Sequence, residues 1–94
     1  MKIDSRYNFR VNVETNVRTG EVIAVYFQVR KGKVATTKEY ADGNAFADYD
    51  RQGRLLGLEL LAPCQAAVLD KIARQAPAKR FVRSSVPSGM LLSA

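Results

Sequence analysis

The chain has 94 residues, 47% of them hydrophobic, enough for one small core and too few for a second. It holds no histidine and a single cysteine, Cys64, which closes Ser-His-Asp and Cys-His catalysis, histidine-bearing zinc sites, iron–sulfur clusters and any internal disulfide. The net charge of +6 is unevenly spread: residues 1–70 carry ten Lys/Arg against nine Asp/Glu, whereas residues 71–94 carry five (Lys71, Arg74, Lys79, Arg80, Arg83) and no acid, an asymmetry that suits nucleic acid or an acidic protein surface.

The first ten residues, MKIDSRYNFR, alternate in charge and lack the apolar core of a signal peptide. The longest apolar run falls far short of the ~18 residues of a spanning helix. A cytoplasmic protein with no membrane contact is expected. Tyr7 to Glu14 alternates, with Tyr7, Phe9, Val11 and Val13 on one side and Asn8, Arg10, Asn12 and Glu14 on the other, the pattern of a strand with one wet face. Thr15 to Gly20 is a polar loop. Glu21 to Arg30 is apolar on both faces and belongs inside the sheet. The charged turn Arg30-Lys31-Gly32-Lys33 follows. Val34 to Tyr40 is rich in threonine and carries Lys38 and Glu39, which suits an edge. Asp42-Gly43-Asn44 is a turn of the hairpin type.

The stretch from Asp48 to Leu61, DYDRQGRLLGLELL, organises the rest. Asp50, Gln52 and Gly53 are turn-formers. Leu55, Leu56, Leu58, Leu60 and Leu61 form a run short enough for a strand buried on both faces and central in the sheet. Gly57 inside that strand marks a bulge or a close backbone approach. Pro63 ends the sheet. Gln65 to Ala76 has Val68, Leu69, Ile72, Ala73 and Ala76 at helical spacing, and Pro77 stops it. The expected architecture is α+β: an antiparallel meander of four to five strands with one C-terminal helix packed on a sheet face, residues 1–76 forming the domain and residues 77–94 a basic, flexible tail.

Asp48, Asp50, Gln52, Gly53 and Glu59 match an EF-hand loop at its first, third, fifth, sixth and twelfth positions. An EF-hand loop lies between helices, however, and here the context is strand-like. A hairpin would put Asp48 and Glu59 on opposite strands, so no metal site and no cofactor are expected, and a calcium or magnesium site at Asp48, Asp50 and Glu59 ranks third among the readings, after protein and nucleic-acid binding. The carboxylates are spread through the body with nothing to gather an acid/base pair, and no enzyme activity is expected. The strand aromatics read as core or cross-strand pairs. Cys64 reads as a small buried apolar residue.

The same stretch resembles a family of small prokaryotic proteins catalogued as domain of unknown function 2283. The resemblance rests on Asp48, Asp50, Gly53, Leu55, Gly57, Leu58, Glu59, Leu60 and Leu61, with Ala24 to Phe27 similar to an early strand of that family. It covers roughly residues 9–62. The chain departs from the pattern in having Leu58 where isoleucine is usual, and in a longer helix and basic tail. The resemblance implies a small β-sheet domain with a helix and no established activity. Some members are thought to be encoded beside toxin-like nucleases, which implies an antitoxin-like role. Binding to a protein, a second copy included, is the leading expectation; nucleic-acid binding through Lys71, Arg74, Lys79, Arg80 and Arg83 is the alternative.

Overall fold

The computed structural model describes residues 7–87 and 89–92. Residues 1–6 of the N-terminal stretch expected to lack a signal peptide lie outside this range, as do Ser88, Ser93 and Ala94 of the expected tail. Five strands, β1 (Tyr7–Thr15), β2 (Val22–Arg30), β3 (Thr36–Tyr40), β4 (Ala45–Tyr49) and β5 (Leu55–Leu61), form one antiparallel sheet in the order β1-β2-β5-β4-β3. The leucine strand β5 is in the middle, with Leu56, Leu58 and Leu60 at most 4% exposed. The sheet is α+β and meander-like as expected, with one departure from sequential order: β2 pairs with β5, not β3. The physical reason is burial. β5 is the most apolar strand and takes the centre, whereas β3, with Lys38 and Glu39, takes the edge, where charge discourages further pairing. The 31–35 segment therefore crosses the end of the sheet to reach that edge.

Cross-strand pairing sorts the side chains. Val25 and Phe27 of β2, Leu58 and Leu60 of β5, and Ala45 and Ala47 of β4 share one face and are all at most 1% exposed. The opposite face carries Tyr26, Glu59, Phe46, Asp48 and Thr37, each half-buried or exposed.

The inner face is covered by α1 (Ala67–Ile72) and α2 (Ala78–Ser85). A single helix over Gln65–Ala76 is not what forms. Gln65 belongs to a two-residue strand, β6 (Cys64–Gln65), and Ala73 leaves helical geometry at φ −97°, ψ 85°. The structure also differs from a flexible tail after Ala76. Ala78, Phe81 and Val82 form an apolar stripe on α2, Phe81 stacks on Phe9 at 4.5 Å, and Val82 is fully buried. Beyond α2, Met90 is fully buried and the chain adds β7 (Leu91–Leu92) in parallel to β6. Burial of an aliphatic side chain such as Val82 or Met90 stabilises by about 1.5–3 kcal/mol, a large fraction of what a domain of this size has. Among the described residues, no helix is long and apolar enough to cross a membrane.

Candidate functional site

The Asp48–Glu59 motif builds the β4–β5 hairpin. Asp50 turns its Oδ1 to the backbone amides of Gln52 and Arg54 (both 2.9 Å) and its Oδ2 to Arg54 Nε (2.8 Å). The Arg54 amide, followed by the Arg54 guanidinium, holds the Asp50 carboxyl below its ordinary value. Gly53 takes φ +80°, which closes the reversal, and its amide donates to the Asp50 carbonyl at 3.0 Å.

Asp48 lies on the outer sheet face, opposite Gly57. Its oxygens accept hydrogen bonds from Tyr26 Oη (3.1 Å) and Thr37 Oγ1 (2.7 Å). Gly57 is the floor under Tyr26: a Cβ there would lie 2.8 Å from the Phe27 carbonyl oxygen and collide with the Tyr26 ring. Burial, then the charge of Asp48, pushes the Tyr26 phenol up to about 12. Glu59, paired across the strands with Tyr26 and Phe46, adds to that shift. Asp48 and Glu59 thus lie beside Tyr26 on the outer sheet face, whereas Asp50 is bonded within its own turn. Among the described residues, no group of three or more His, Cys, Asp or Glu side chains is arranged to hold a metal ion.

The notable concentration of charge is at the end of the sheet where the β2–β3 crossover, the β4–β5 turn and α1 meet. A cleft of about 570 Å³ is lined by Arg30, Arg54 and Arg74 with Tyr7, Tyr49 and Ile72. A neighbouring hollow of about 500 Å³ shares Tyr49, Ile72 and Arg74 and adds Lys38, Arg51 and Lys71. A third, of about 380 Å³, continues over Arg51 and Arg54 to Lys31 and Lys33. Eight of the chain's 15 Lys/Arg line this continuous surface. Asp50, already bonded within its own turn, is the one carboxylate among the described residues that line it.

The topology explains the gathering. Gly32 packs so closely on Leu56 that a Cβ there would meet its Cδ2 at 2.9 Å, so the crossover brings Lys31 and Lys33 to the end of β5. The Asp50 turn presents Arg51 and Arg54, the end of α1 adds Lys71, and the segment just after it adds Arg74.

The aromatic rings in the cleft are already engaged. Tyr7 is covered by the Arg30 guanidinium at 4.1 Å and stacks on Phe9 at 5.3 Å. Tyr49 shares a hydrogen bond with Tyr40 (Oη to Oη, 3.1 Å), and burial pushes its phenol up to about 12.

Of the five C-terminal cations singled out by charge, the structure brings only Lys71 and Arg74 to this cleft. Arg83 donates to Asp70 Oδ2 at 2.7 Å and Lys79 is 3.9 Å from Asp70 Oδ1, so α2 uses both to tie itself to α1. The Arg83 hydrogen bond holds Asp70 below its ordinary value. Arg80 lies with them around a separate surface hollow. The six further cleft cations were not visible as a group because they come from three separate segments of a body whose net charge is near zero. The turn dipeptides Lys31-Gly32 and Gly53-Arg54 were the available signal. No family model, curated protein or solved structure matches the chain.

Proposed function

We propose that the protein binds nucleic acid through the phosphate backbone at the basic end of its sheet. The observation that carries this reading is the charge of the described lining: besides Arg30, which covers Tyr7, and Arg54, which is paired with Asp50, the cations Lys31, Lys33, Lys38, Arg51, Lys71 and Arg74 gather there. Such a surface attracts a polyanion and releases its counterions. Tyr7 and Tyr49 are held by neighbours, so base stacking on them contributes little, and phosphate contacts, which carry no sequence information, dominate. The role is binding, not catalysis.

Fluorescence anisotropy with a labelled DNA duplex and a labelled RNA over a range of salt tests this. Binding is expected at low salt and weakens steeply as salt rises. Arg51→Gln, Lys71→Gln and Arg74→Gln, all at exposed positions, each weaken it and reduce the duplex salt slope by about 0.9 for each phosphate that is no longer neutralised. Arg83→Gln leaves the slope unchanged. Absence of binding at low salt, or cleft variants that bind like the parent, would overturn the reading. A protein partner is the second reading, supported by the open β1 edge and consistent with the family resemblance of the hairpin.

A further inference from the structure

We infer that β1 pairs with β1 of a second copy about a two-fold axis at Asn12, joining two sheets into one of ten strands. The inference stands apart from nucleic-acid binding. β1 is nine residues long and forms one edge of the sheet; among the described residues nothing pairs on its outer side. Natural edges are commonly guarded by lysine, proline, a bulge or short length. The other edge, β3, has five residues and carries Lys38. β1 has bulges at its two ends, but Arg10 to Glu14 run in unbroken register against Gln28 to Ala24. That central segment contains no lysine, proline or glycine.

Its side chains specify a partner. In the pentapeptide Arg10-Val11-Asn12-Val13-Glu14, antiparallel pairing centred on Asn12 sets Arg10 against Glu14 of the second copy, twice, and Val11 against Val13, twice. A two-fold interface requires this reciprocity: residue i meets j and j meets i. Shifting the centre to Val11 or Val13 loses both ion pairs. Shifting it further sets Arg10 on Arg10 or Glu14 on Glu14, and parallel in-register pairing does both, all of which are destabilising. Arg10 and Glu14 are exposed, and neither has an ion-pair partner within the protomer among the described residues.

The apolar side agrees. Val13 pairs with the core residue Val25 yet is 49% exposed, with Phe9 37% and Ile23 43% exposed. Phe81 of α2 covers one side of Phe9, but Val13 and Ile23 remain about half exposed, and a second β1 would extend over them. The occupant is therefore a second copy of this chain.

Sedimentation equilibrium of the full chain over a wide concentration range tests the inference. The parent is expected to dimerise. Arg10→Glu or Glu14→Arg alone faces like charges across the axis and raises the dimer dissociation constant roughly tenfold or more. The double variant Arg10→Glu/Glu14→Arg restores opposite pairs and returns the constant to near the parent value. Circular dichroism checks that all three fold, as expected for exposed sites. A parent that stays monomeric, a dimer indifferent to the single reversals, or a double variant that fails to recover would overturn the inference.

Discussion

At the residue scale, Asp48, Asp50 and Gly53, which look like part of an ion site, have structural tasks in the sheet and its turn, and so does Gly57 beside them. Gly57 is the clearest. It has no side chain because the Tyr26 ring and the Phe27 carbonyl occupy that space. Gly57→Ala is expected to destabilise the fold by about 1–3 kcal/mol, the usual range for overpacking, read as a lower urea midpoint with an unchanged slope. The phenols give a second prediction. Tyr26 and Tyr49 are pushed up to about 12, so they ionise later than a free phenol. A group whose folded value is raised adds stability that is fully present below its unfolded value, near 10, and lost as pH rises toward the folded value. Denaturant midpoints should therefore fall between about pH 10 and 12, in step with a late rise in phenolate absorbance. Tyr26→Phe should remove part of that pH dependence.

At the element scale, the C-terminal segment is part of the core. The Cys64 amide donates to the Met90 carbonyl at 3.1 Å, and β7 lies beside β6. Met90→Ala is expected to cost about 2–5 kcal/mol, the range for truncating a buried methionine, measured by denaturant unfolding. Cys64 is 1% exposed and burial pushes its thiol up. It should react slowly with a thiol reagent in the native protein and fast in Met90→Ala. Equal rates in the two proteins would contradict the docking of this segment. The β4–β5 hairpin was legible in the sequence because its causes are local: Asp50 bonds within five residues, Gly53 supplies the positive φ, and the leucines are contiguous. The end of the chain was not, because β7 is held by a strand more than twenty residues away. The α2 stripe of Ala78, Phe81 and Val82 is short, and it was masked by the charges between its members. Pro77 served as the start of a second helix as well as a boundary to the first.

At the scale of the whole molecule, the fold sorts charges that the linear sequence mixes. Glu14, Glu39, Asp48 and Glu59 fall on the outer sheet face with Arg10 as their main opposite. Six cations of residues 1–70 collect at one end, where composition alone marks only Lys71 and Arg74. A near-neutral sum over residues 1–70 hid this separation because net charge ignores topology. The crossover forced by the central position of β5 is what carries Lys31 and Lys33 to the turn that holds Arg51 and Arg54. Pairing through β1 would place both helical layers on one face of the joined sheet, with the two basic ends at opposite corners.

The most direct measurement is an NMR amide titration of the labelled chain with a short duplex DNA and a short RNA, at low and at high salt. The expected result is salt-sensitive shifts gathered in residues 30–38, 51–54 and 71–74, with the 79–83 segment of α2 little changed. Shifts centred on 79–83, or none at low salt, would contradict binding at the basic end of the sheet.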